Sequence, residues 1–160
     1  MSSMFDLSGR VSLVSGAASG MGKAVALAVA EAGSDIVLAD INEAGAHAVA
    51  QEIEALGRKA LPVVCDISSP EAIRAMFTQI DETFGRIDFV ANIAGEAVRK
   101  KPEIIELDEV EWTWRNIVYG RFCICQEAGR RMLEQGRGCI INLGSLASIT
   151  ALGRGHIAYS

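Results

Sequence analysis

Short apolar runs with little internal alternation recur along the chain, and each is followed by a longer stretch with helical spacing. Runs rich in Val and Ile lie near 10–15, 35–40, 60–66, 87–93 and 138–144. Strands buried on both faces read this way, because neither face needs polar residues. Between them, helices are predicted near 20–32, 43–56, 70–84 and 109–135. The first places Ala24, Leu27, Ala28 and Val29 on its apolar side and stops at Gly33, a C-terminal glycine signal. Ser69-Pro70 reads as an N-cap followed by proline at the first helical position, and Asp108-x-x-Glu111 as a capping box. No repeat, low-complexity tract or long linker interrupts the alternation, so residues 1–160 are expected to form a single domain.

Alternating strands and helices predict an α/β fold, a doubly wound parallel sheet of Rossmann type with strand order 3-2-1-4-5. Reversal of direction at the first strand opens a crevice at the carboxyl ends of strands one and four. Gly16, Asp40, Asp66, Asn92 and Ser145 all fall at or just after a strand's carboxyl end, so they converge on that edge.

The turn after the first strand reads Ser15-Gly16-Ala17-Ala18-Ser19-Gly20-Met21-Gly22. Glycines at a strand-to-helix turn allow the backbone to approach a pyrophosphate, while the helix N-terminus offers N–H groups to the anion. Any tight strand–helix turn also favours glycine. Asp40, at the end of the second apolar run, favours the cofactor reading, the alternative being an ordinary strand-end or helix-capping acid. A carboxylate there binds a ribose 2′-hydroxyl and repels a 2′-phosphate, and Ile41 and Asn42 supply no compensating cation. NAD is therefore the expected cofactor.

With its G-x-x-x-G-x-G spacing, the loop resembles that of the short-chain dehydrogenase/reductase family, T-G-x-x-x-G-x-G, with Ser15 in place of threonine. Asp66 in Cys65-Asp66-Ile67 matches the family's adenine-contacting acid. Asn92-Ile93-Ala94-Gly95 matches its N-N-A-G, with Ile93 for the second asparagine. Asn142-Leu143-Gly144-Ser145 matches the segment ending in the catalytic serine, and Ala158-Tyr159-Ser160 matches the start of Y-x-x-x-K. The resemblance implies a cofactor site built from Gly16, Ser19, Gly20, Met21, Gly22, Asp40, Ile41, Asp66, Ile67, Asn92, Ala94 and Gly95. It implies catalysis by Tyr159 as proton donor or acceptor, with Ser145 holding the substrate oxygen. Hydride transfer between NAD(H) and a small alcohol or ketone would be the reaction. A non-catalytic dinucleotide-binding or regulatory domain is the alternative.

Two departures from the family pattern matter. The family's relay asparagine stands three residues before a helical glycine. With Gly120 as that glycine the place falls on Ile117, and Asn116 is the neighbouring candidate, about 100° away on an α-helix. The interval from Trp114 to Gly120 is also short. The lysine of Y-x-x-x-K falls four residues after Tyr159, beyond Ser160, as do the further strands and substrate lid. The chain as written is thus expected to bind cofactor better than it turns over, and a complete chain to form a homo-oligomer.

Net charge is −5, which argues against a nucleic-acid or anionic-membrane surface. The basic run Arg99-Lys100-Lys101 reads as a solvated face. No apolar run approaches the roughly 20 residues of a membrane span, and the N-terminus lacks a signal-like apolar core. The four cysteines, Cys65, Cys123, Cys125 and Cys139, show no metal-ligand spacing. No metal is expected. Free thiols in a cytoplasmic protein are expected, with Cys65 and Cys139 in buried strands.

Overall fold

All five predicted strands are present, β2 as predicted and the others a little shorter than their apolar runs: β1 (Val11–Ser15), β2 (Asp35–Asp40), β3 (Ala60–Val64), β4 (Phe89–Asn92) and β5 (Cys139–Asn142). They form one parallel sheet in the order β3-β2-β1-β4-β5, in the computed structural model that describes residues 5–150 and 157–159. Ser160, the last residue of the tyrosine motif, lies outside the described residues. The connecting helices are α1 (Gly20–Glu31), α2 (Glu43–Ala55), α3 (Pro70–Phe84), α4 (Leu107–Trp114) and α5 (Gly120–Gln135). No helix among the described residues is long and apolar enough to cross a membrane.

The absence of alternation in the strands follows from two cores, one on each face of the sheet. Leu13, Val37, Val63 and Val90 pack with Phe77, Met76, Ile80 and Ile124 from α3 and α5. Val14, Ile36, Leu38 and Ala91 pack with Ala26, Ala30, Val49 and Ile53 from α1 and α2. Adjacent residues of one strand feed opposite cores, so the strands are mostly apolar with little alternation, Ser12 being a buried polar exception inside β1. Burying a side chain of this size is worth about 1.5–3 kcal/mol.

On α1, Gly22, Ala26 and Ala30 form the buried face. Ala24 and Ala28, expected on the apolar side, are exposed, and Leu27 and Val29 flank the contact. Small residues at four-residue spacing bring the helix backbone close to the sheet, which takes precedence over a wider but bulkier stripe. Gly33 closes the helix at φ +106°, as its position predicts. Ser69 caps α3, its hydroxyl accepting from Ala72 N–H at 3.2 Å, with Pro70 first in the helix. The capping interaction of α4 sits two residues earlier than Asp108-x-x-Glu111. Glu109 accepts from Glu106 N–H at 3.0 Å, so the helix begins at Leu107.

Where one helix over 109–135 is predicted, α4 and α5 are separated by a π turn, Arg115–Tyr119. Cys139 is another departure. It is exposed, because β5 is the sheet's edge among the described strands and only β4 pairs with it. No disulfide joins the four cysteines. Burial pushes the Cys65 thiol up to about 11, helped by Asp66 and Cys123. Since the thiolate is the reactive form, Cys65 should resist iodoacetamide at pH 8 in the native protein and react on unfolding. Mass mapping of alkylated peptides checks this.

At the amino-terminal edge of the sheet, Asp88 is buried among three arginines. Arg86 Nε and Nη2 donate to its two oxygens at 2.8 and 2.6 Å, and Arg10 Nη1 at 3.2 Å. Val11 N–H donates at 3.0 Å, and Arg137 Nε lies 3.6 Å away. This cluster ties the starts of β1, β4 and β5 together, at the edge opposite the site described next.

Candidate active site

At the carboxyl ends of the strands a cleft of about 490 Å³ opens, lined from the loops after β1, β2, β3 and β4. Gly16, Ser19, Gly20, Met21 and Gly22 form one wall, Asp40 and Ile41 the next, then Asp66 and Ile67, then Ala94 and Gly95. Eleven of the twelve sequence-predicted cofactor residues thus meet in one place; Asn92 does not line the cleft.

The glycine turn is built for close approach. Gly16 has φ +71°, and a Cβ at Gly22 would collide with the Gly16 carbonyl. Any side chain at Gly22 therefore pushes α1 away from β1. Around Gly20 no protein atom would crowd a Cβ, so the expected crowding there comes only from the ligand side, although its φ of +52° disfavours a side chain. The helices differ in a way that bears on ligand binding. Asn42 caps α2, accepting from Gly45 N–H at 3.0 Å, and Ser69 caps α3. Ser19 makes no side-chain cap on α1, which leaves first-turn N–H groups facing the cleft.

Asp40 is fixed before any ligand arrives. Oδ2 accepts from Ala18 N–H and Oδ1 from Asn42 N–H, both at 2.9 Å. Each oxygen retains a lone pair for a hydroxyl donor. Asp66 is also held locally, its Oδ1 accepting from Ser68 N–H at 2.8 Å. Ser15, which stands where the resemblance has threonine, accepts from Ile93 and Ala94 N–H at 3.1 Å each. One hydroxyl thereby fastens the loop after β4 to the end of β1.

Asn92 turns sideways instead of into the cleft. Its Nδ2 donates to Asn142 Oδ1 at 2.9 Å and lies 3.4 Å from Cys125 Sγ, while its Oδ1 is buried without a partner among the described residues. It joins β4 to β5 beneath the site floor.

Asn116 lies within the π turn, buried, and lines the cleft. A π turn fits an extra residue into one turn. The residue four before Gly120 therefore takes roughly the angular place that the third would take in an α-helix. That is how the one-place displacement is absorbed. Asn116 Nδ2 donates to Trp112 C=O at 3.0 Å, which orients the amide.

Ser145 caps a 3₁₀ turn, Leu146–Ser148, its hydroxyl accepting from Ala147 N–H at 3.2 Å. That bond uses an oxygen lone pair and not the hydroxyl proton. Neither Ser145 nor Tyr159 lines the cleft. The segment carrying Tyr159 docks on α4, where Trp114 Nε1 donates to Ala158 C=O at 3.2 Å. Six lining residues are not among the sequence-predicted site residues: Ala39, Cys65, Ser68, Ile93, Glu96 and Trp112. Trp112 is four residues before Asn116, and Ala39, Cys65, Ser68, Ile93 and Glu96 each neighbour a predicted site residue in sequence, so spacing could have found them.

Among the described residues no group of three or more His, Cys, Asp or Glu side chains is arranged to hold a metal ion. The donor set suits a dinucleotide: a helix N-terminus without a side-chain cap, a glycine cradle and a fixed carboxylate line the same cleft.

A parallel sheet in this order, with a glycine turn at its first crossover and an acid at the end of its second strand, defines a nicotinamide-dependent type of α/β protein. A family model described as short chain dehydrogenase matches residues 10–160, and the chain belongs to that family. It is 38% identical over 155 residues to a D-threitol dehydrogenase of Mycolicibacterium smegmatis, covering 97% of this chain and 59% of that protein. It is 39% identical over 157 residues to an NAD-dependent glycerol dehydrogenase of Listeria innocua, with the same two coverages of 97% and 59%. The crystal structure of a short-chain type dehydrogenase/reductase from Mycobacterium marinum superposes with a TM-score of 0.92 at 35% identity, over 98% of this chain and 64% of that one. The chain spans about 60% of the length of the curated relatives it matches. Those relatives are oxidoreductases.

Proposed function

We propose that this chain forms the cofactor-binding part of an NAD(H)-dependent short-chain dehydrogenase that interconverts a small alcohol and its carbonyl compound. The observation that carries the choice of NAD is Asp40, a carboxylate locked by two backbone N–H groups at the cleft wall. It receives the ribose hydroxyls and repels a 2′-phosphate. Gly16, Ser19, Gly20, Met21 and Gly22 hold the pyrophosphate, Asp66 and Ile67 border the adenine, and Ala94 and Gly95 shape the nicotinamide side, with Asn92 supporting them from the β4–β5 seam. When bound, the nicotinamide supplies the hydride acceptor or donor. Tyr159 passes the proton to or from the substrate oxygen, Ser145 donates a hydrogen bond to that oxygen, and Asn116 orients water toward the tyrosine. Small-molecule alcohols or carbonyl compounds are the substrates, and the full polypeptide acts as a homo-oligomer in the cytoplasm.

Fluorescence titration with NADH and NADPH tests this reading. NADH should bind at least tenfold tighter, and Asp40→Ala should narrow the gap mainly by weakening NADH. Tighter binding of NADPH by the wild type would refute the cofactor assignment, and binding of neither would refute the dinucleotide site.

A further inference from the structure

Arg121 is the second residue of α5, and its guanidinium lies across the ends of β4 and β5. Nη2 and Nε donate to Ala94 C=O at 3.1 and 3.3 Å, and Nη1 donates to Leu143 C=O at 2.6 Å. Among the described residues no carboxylate pairs with it. Burial pushes its pKa below the ordinary arginine value, while Tyr159 and Cys125 act in the opposite direction. An arginine nevertheless stays charged at neutral pH. A half-buried cation that spends its donors on two carbonyls is costly unless their placement matters.

The two carbonyls belong to different halves of the site. Ala94 lines the cleft just after β4. Leu143 follows β5 and stands two residues before Ser145. The β4–β5 pairing ends at Asn92 opposite Asn142, with a last bond from Leu143 N–H to Asn92 C=O at 3.1 Å. Beyond that rung the two loops diverge, and the guanidinium spans the gap. Gly95 lies against both the guanidinium and Ile117: a Cβ there would stand 2.9 Å from Ile117 Cγ2 and 3.0 Å from Arg121 Nη2. Tyr159 is within electrostatic reach of the same cation.

We propose that Arg121 is a positioning residue, whose guanidinium bridge sets the spacing between the Ala94–Gly95 wall of the cleft and the segment that carries Ser145. A bidentate, planar fork suits this task because two fixed N–H vectors define both distance and angle. The proposal rests on the reading of Tyr159 as proton donor or acceptor and of Ser145 as the residue that holds the substrate oxygen. A misplacement of about 1 Å at such a site can cost about a hundredfold in rate.

The test uses the full-length polypeptide with Arg121→Met and Arg121→Lys. NADH binding by the wild type is measured first, so that failure of the cofactor reading shows itself before any variant is made. In Arg121→Met, amide hydrogen exchange in 93–98 and 143–148 should rise at least tenfold, with the rest of the sheet unchanged. The turnover number should fall at least tenfold, while NADH affinity changes less than threefold. Arg121→Lys keeps the charge but cannot bridge both carbonyls, so it should restore less than half of the lost turnover. It is also the variant to use if the methionine chain fails to fold. Unchanged exchange in both segments overturns the bridge. Raised exchange with unchanged turnover, or full recovery by lysine, overturns the positioning role.

Discussion

Tyr159→Phe in the full-length polypeptide should lower the turnover number for carbonyl reduction by about 10²–10⁴-fold, the range for loss of a general acid. Deleting the hydroxyl removes the proton donor and leaves the aromatic ring. The Trp114 bond to the backbone carbonyl of Ala158 is untouched by the substitution. The segment should therefore stay docked, and NADH affinity should change less than threefold. Ser145→Ala should cost less, because it removes one hydrogen bond to the oxygen and not the proton. Steady-state rates combined with cofactor titration check both. Turnover within tenfold of wild type in Tyr159→Phe would show that another group moves the proton.

The sheet was legible because the strands are short, mostly apolar runs with little alternation, the pattern that two-sided burial favours. Leu13 and Val14, feeding opposite cores, show this most directly. The cleft was legible for a different reason: Gly16 to Gly22, Asp40 and Asp66 are local signals at strand ends, and a parallel sheet puts all such ends on one edge. What escaped the sequence are arrangements that depend on packing between distant segments. The buried face of α1 is chosen by how near the helix must lie to the sheet, which favours Gly22, Ala26 and Ala30 over bulkier neighbours. The π turn at Arg115–Tyr119 leaves only an indirect trace, an asparagine one place from its expected position. Asn92 carries a family-like motif but serves the β4–β5 seam, since its partner Asn142 is 50 residues away. The Arg121 bridge to Ala94 and Leu143 has no periodicity that could announce it. Ser145, whose hydroxyl caps its own turn, shows that a local backbone bond and a proposed catalytic role occupy different valences of one oxygen.

Asp88→Ala should destabilise the fold by roughly 3–5 kcal/mol, the usual cost of removing one partner from a buried ion pair. The carboxylate accepts from Arg86, Arg10 and Val11 N–H while its side chain is only 7% exposed. Alanine would leave these donors without their acceptor, and the cations that converge there would repel one another. Burial alone would push the Asp88 carboxyl up. Hydrogen bonds from Arg86, Val11 N–H and Arg10, with the charge of Arg86, outweigh it and hold the carboxyl below its ordinary value. The folded-state pKa is thus depressed relative to the unfolded chain. The stabilisation is fully present above the ordinary carboxylate pKa of about 4 and is lost as the pH falls below it. Urea denaturation at pH 7 should show the full deficit of Asp88→Ala, and the deficit should shrink as the pH is lowered from about 4 toward 2. Asp88→Asn keeps the shape and one acceptor, so it should fall between wild type and alanine. Because the cluster sits at the edge opposite the cleft, residual folded Asp88→Asn should bind NADH with wild-type affinity. A deficit below about 1 kcal/mol for Asp88→Ala at pH 7 would show that the three arginines are held by solvent and not by this carboxylate.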